Sequence, residues 1–70
     1  MKWALVIAFL TTPQDGTPAE TVDQWVIPGF ESEAACDITM DSASWPLIQD
    51  YKLRHPGIAD LPASLRCKPE

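Results

Sequence analysis

The chain opens MKWALVIAFLTTPQ, residues 1–14, in which one lysine precedes an unbroken apolar run from Trp3 to Leu10. The fold depends on whether that run is a secretion label or a strand. A secretory signal needs a basic start, an apolar stretch and small residues preparing a cleavage site. Lys2 and Trp3–Leu10 supply the first two, but Phe9, Leu10, Thr11 and Thr12 occupy the place of the third. A short apolar run closed by a turn signal is also the pattern of a strand covered on both faces. Read that way, Trp3, Leu5, Ile7 and Phe9 form a bulky face and Ala4, Val6, Ala8 and Leu10 a flatter one. We take the strand as the expectation. The alternative is a cleaved signal over residues 1–12, leaving a periplasmic or secreted protein stapled by its two cysteines. The run is too short to span a bilayer, which takes about 20 apolar residues, so no membrane partner is expected.

Beyond the run, Pro13, Asp15-Gly16 and Pro18 carry turn chemistry and should return the chain antiparallel as a second strand, TVDQWVIP, ended by Pro28-Gly29. The stretch from Phe30 to Trp45 reads as helix, with Ser32 as cap, Glu33 at the positive end, and Ala34, Ala35, Ile38 and Met40 facing inward. Pro46 should divide it from a second helix carrying Leu47, Ile48 and Tyr51 inward, stopped at His55-Pro56-Gly57. The segment ASLRCK then alternates, with Ala63, Leu65 and Cys67 inward. The expected fold is one α+β domain over residues 1–70, in the order ββααβ. Its three-stranded antiparallel or mixed sheet has the first strand central, antiparallel to both neighbours, and both helices on one face.

That topology brings Cys36 and Cys67 to the same end of the sheet. A disulfide there would close a loop of some 30 residues; in a reducing cytoplasm the same pair would be two small buried hydrophobes. Both readings stand at this stage. Seventy residues support only a small core, and chains of this size commonly need a staple or a partner. No cofactor or metal is expected, since there is no C-x-x-C and the lone His55 adjoins a helix-ending proline.

Ten acidic against five basic residues give a net charge of −5, which disfavours a nucleic-acid partner. Glu33, Asp37 and Asp41 recur every four residues and line one stripe of the expected helix. As a solvated face the row needs no explanation; as a recognition surface it suits a basic partner. Trp45, beside Pro46, is the tryptophan expected to remain partly exposed, and tryptophan is enriched where interfaces are anchored. These four residues are the candidate partner-binding set. Ala4, Val6 and Ala8 are a candidate face for a homodimer. Asp50, Tyr51 and His55 offer acid–base chemistry on paper, but nearness in sequence is not geometry, and no catalytic role is expected of them.

The layout MKW, then FESEAAC over residues 30–36, then CKP over residues 67–69, resembles short reading frames of bacteria and their phages. The resemblance implies a small accessory protein and no catalytic residues. Small acidic phage proteins of this kind often act as stoichiometric inhibitors of host enzymes or defence complexes. The functional expectation is therefore a non-enzymatic protein-binding module working in the cytoplasm, that of the host cell if phage-encoded.

Overall fold

The computed structural model describes every residue from Met1 to Glu70. Its elements are β1 (Trp3–Leu10), β2 (Thr21–Phe30), α1 (Glu33–Arg54), a 3-10 turn (Pro56–Ile58) and β3 (Ala63–Pro69). The strands form one sheet in the order β2-β1-β3, with both outer strands antiparallel to β1. The apolar run is thus the central strand, with both of its hydrogen-bonding edges paired.

Register explains the core. Leu5 lies between Ile27 and Cys67, Ile7 between Trp25 and Leu65, and Phe9 between Asp23 and Ala63. Those rungs face α1, and Leu5, Ile7, Phe9, Cys36, Ile48 and Ile58 form the buried cluster. Only 8 of 70 residues are buried, so any covalent tie across this thin core carries unusual weight. The tie exists: Cys36 and Cys67 are joined by a disulfide, with Cα atoms 6.1 Å apart.

On the other face of β1, Ala4 and Val6 are also buried although no helix covers them. Val6 sits between Val26 and Arg66, and Ala4 beside Lys68, so small central residues lie in the shade of longer flanking ones. The line Ala4, Val6, Ala8 expected to meet a second copy is therefore mostly closed within one chain. Of the three, only Ala8 keeps appreciable accessible surface.

The chain departs from expectation in three places. First, there is one helix and not two: α1 runs 22 residues with Pro46 inside it. Proline removes one backbone donor and crowds the preceding turn, at a cost of about 3 kcal/mol in a helix interior. The helix continues because residues on both sides of Pro46 pack on the same core, Met40 before it and Ile48 and Tyr51 after it. Ser42 Oγ donates to the Ile38 carbonyl at 2.6 Å and Ser44 Oγ to that of Met40, one turn back in each case; such bonds ease a bend in the helix ahead of the proline.

Second, β2 runs through Pro28-Gly29 to Phe30. Trp3 pairs with Phe30 but Leu5 with Ile27, so β2 carries an extra residue there, a bulge. Gly29 has φ +93°, which glycine adopts without strain, and its N–H donates to Glu70 Oε2 at 3.1 Å. Proline is tolerated because β2 is an edge strand. The tail closes over this end of the sheet as Glu70 N–H donates to the Lys2 carbonyl at 2.9 Å, and Lys2 pairs with Glu31.

Third, Ala34 and Ile38 do not face inward. The disulfide pins Cys36 against β3, and residues two positions away lie about 200° around a helix. Both are accordingly exposed, Ile38 by 66%. The expected cap is present, with Ser32 Oγ accepting from the Ala35 N–H at 3.1 Å. The turn chemistry is present too, with Gln14 and Thr17 bridged across Asp15-Gly16.

Candidate protein-binding surface

The rotation of α1 set by Cys36 gives its outer side a definite composition. Ile38, Trp45 and Leu53 are 66%, 70% and 83% exposed. At 100° per residue they fall within an arc of about 80° and span two successive pairs of turns. Asp41 stands on the same side and is exposed, Asp37 is half-buried on its flank, and Glu33 is exposed at the helix start. The four candidate residues therefore belong to one element, but Glu33, Asp37 and Asp41 do not share one face equally. The apolar stripe, which the sequence reading did not anticipate, is their common neighbour. Its signal was available in the spacing from Cys36, once that residue is taken as the one fixed to the sheet.

Large apolar side chains exposed singly are ordinary; here three lie on one side of one helix, with Ser42 and Gln49 between them. Trp45 is the largest of the three.

A second cluster lies under the C-terminal half of α1. Tyr51 stacks on Phe9, Trp25 and His55 at centroid distances of 5.3, 4.9 and 4.1 Å. Its hydroxyl donates to Asp23 Oδ2 at 2.8 Å, and the Gln24 N–H donates to Asp23 Oδ1 at 2.8 Å. The Tyr51 bond, and then the Gln24 N–H, hold the Asp23 carboxyl below its ordinary value of 3.8. The same carboxylate raises Tyr51 above its ordinary 10.0. Of the group weighed for catalysis, Asp50 is bound to Arg54 at 2.9 Å and His55 Nδ1 lies 3.0 Å from the Tyr51 carbonyl oxygen. The structure joins Tyr51 to Asp23, a partner the sequence reading missed. The clue was parity, since Asp23 occupies an inward position of β2 in step with Trp25 and Ile27.

The bond predicts a pH signature for Tyr51→Phe, which keeps the stack and removes the hydroxyl. A depressed carboxyl contributes stability above its unfolded value and loses it as pH falls through the folded one. A raised phenol contributes below its unfolded value and loses it as pH rises through the folded one. The stability gap between wild type and Tyr51→Phe, from urea midpoints, should be widest near neutrality, narrow below pH 3.8 and narrow again above pH 10.0. A gap independent of pH would contradict the assignment.

The open sheet face carries one shallow concavity of about 230 Å³, floored by Val6, Ala8 and Leu10 and rimmed by Thr21, Gln24, Ser64 and Arg66. It arises because Ala8 is flanked by Ser64 in register, leaving that rung short. No group of three or more His, Cys, Asp or Glu is placed to hold a metal ion, and no helix is long and apolar enough to cross a membrane. Comparison with protein-family profiles, with curated proteins and with solved structures returns no match.

Proposed function

We propose that this chain is a non-enzymatic module that binds another protein through the outer side of α1, with Trp45 as anchor and Glu33, Asp37 and Asp41 selecting a basic contact surface. The observation that carries the reading is the aligned exposure of Ile38, Trp45 and Leu53 on a helix that already buries Cys36 and Ile48 on its other side. A helix needs one apolar face to fold onto its sheet; the second is free to meet a partner. A small acidic binder of this kind suits a stoichiometric inhibitor of a host or defence protein, whose basic surface the carboxylates would match.

The disulfide bears on where it works. A cystine across so thin a core favours an oxidising compartment, such as a periplasm, over the reducing cytoplasm expected from the sequence. Removal of residues 1–12 would take away β1 and with it the strand that both others pair to. We therefore favour a form that keeps Trp3–Leu10 in the sheet.

The test is capture from an extract of the native host by immobilised wild type, Trp45→Glu and the pair Asp37→Lys with Asp41→Lys. All these positions lie off the buried cluster, so the variants should fold with unchanged circular dichroism. A partner held by wild type should be weakened about tenfold or more by Trp45→Glu and also by the lysine pair. Identical captured sets for all three proteins would overturn the reading.

A further inference from the structure

We infer that in the free protein the outer side of α1 is held by a second copy of this chain, the two helices packing antiparallel about a two-fold axis near Trp45-Pro46. The inference rests on the proposed role of that side as a protein-binding surface and names its resident occupant.

The first support is the symmetry of the stripe. Ile38 and Leu53 are equally distant in sequence from the Trp45-Pro46 boundary. An antiparallel two-fold there sets Ile38 of each copy level with Leu53 of the other at both ends, and Trp45 of each copy level with Pro46 of the other in the middle. A closed two-fold contact demands a self-complementary patch of this kind, whereas a foreign partner does not.

Charge gives the direction. The first half of α1 carries Glu33, Asp37 and Asp41, and its last turn carries Lys52 and Arg54. Parallel packing would place three carboxylates on three, while antiparallel packing turns each acidic half toward a C-terminal half whose one carboxylate near the end, Asp50, is already paired with Arg54. One pair is specific. Asp41 and Lys52 lie about 20° apart around the helix, on the same flank, and like flanks meet in an antiparallel two-fold pair. Lys52 makes no ion pair within its own chain, the two that exist being Lys2–Glu31 and Arg54–Asp50. It is free to meet Asp41 of the second copy.

The other routes to a dimer are blunted. The β2 edge is interrupted by the Pro28-Gly29 bulge, and the β3 edge is bounded by Pro62 and Pro69. On the open sheet face Ala4 and Val6 are only 2% and 3% exposed, leaving little apolar surface there for a second copy.

The deciding measurement is sedimentation equilibrium of the full chain, disulfide intact, for wild type, Asp41→Lys, Lys52→Asp and the double exchange. Wild type should be a dimer. Each single variant sets like charges together and should raise the dissociation constant about tenfold, and the double exchange should return it to near the wild-type value. Monomeric wild type at every concentration, or a dimer equally stable in all four proteins, would overturn the inference. Monomeric wild type combined with loss of capture by Trp45→Glu would overturn this inference and leave the proposed function standing. A charge-sensitive dimer whose captured proteins ignore Trp45→Glu would support the dimer and remove the foreign-partner reading.

Discussion

Replacing Cys36 and Cys67 together by alanine, or reducing the bond in the wild type, is expected to lower stability by about 3 to 4 kcal/mol. The chain-entropy estimate for a sequence separation of 31 gives that figure. A chain of this length holds about 4 to 10 kcal/mol in all at typical values per residue, so the loss takes a large share of it. Urea unfolding with and without reductant measures it. Reduced wild type should match the alanine pair, and equal midpoints for oxidised and reduced wild type would contradict the estimate. The functional consequence follows from geometry. Cys36 sets the rotation of α1, and without the bond nothing covalent holds Ile38 on the outer side, so partner capture should weaken along with stability.

The second large effect is at Phe9, which is fully buried on the central strand and stacks on Tyr51 at a centroid distance of 5.3 Å. Phe9→Ala leaves a cavity with little around it able to collapse, since the strands on either side are fixed in register by β1. A loss of about 3 to 5 kcal/mol is expected, enough to unfold much of the population at room temperature. Trp45→Ala is the informative contrast. It removes a larger ring from a site exposed within one chain and, at concentrations where the chain is monomeric, should change stability by no more than about 0.5 kcal/mol. Unfolding midpoints for the two variants should separate widely. Similar losses would mean that Trp45 is covered within one chain, and the account of the α1 surface would fall.

These expectations show which features were legible in the sequence. The central place of Trp3–Leu10 followed from its unbroken apolar character: one face packs on α1, and Ala4 and Val6 on the other are buried between the flanking strands. The convergence of Cys36 and Cys67 followed from topology: two strands antiparallel to a shared neighbour run parallel to each other and end together. Local chemistry at Ser32, Asp15-Gly16 and His55-Pro56 was equally readable, since caps and turns are decided by residues close in the chain.

The errors share a different cause. Pro46 and Pro28-Gly29 are local breakers overruled by tertiary structure, the first by core residues on both sides of it and the second by the tolerance of an edge-strand bulge. Neither compensation is visible in a window of ten residues. The outward turn of Ile38 depends on a disulfide partner in β3, and the Tyr51–Asp23 bond joins positions 28 apart in sequence. Glu33, Asp37, Asp41 and Trp45 lie on one helix and Trp45 is exposed, as expected, whereas the exposure of Ile38 and Leu53 was not foreseen. An apolar residue in a helix was assigned inward before the helix had been oriented.

The central claim is that the outer side of α1 meets protein. It is tested most directly by a photo-crosslinking residue at Ser42, an exposed position between Ile38 and Trp45, in the full chain produced in its native host. The account predicts a discrete protein adduct on irradiation, to a second copy or to a foreign partner, and none from the same residue placed at Asp15 in the β1–β2 turn. Crosslinking at Ser42 no stronger than at Asp15 would contradict it.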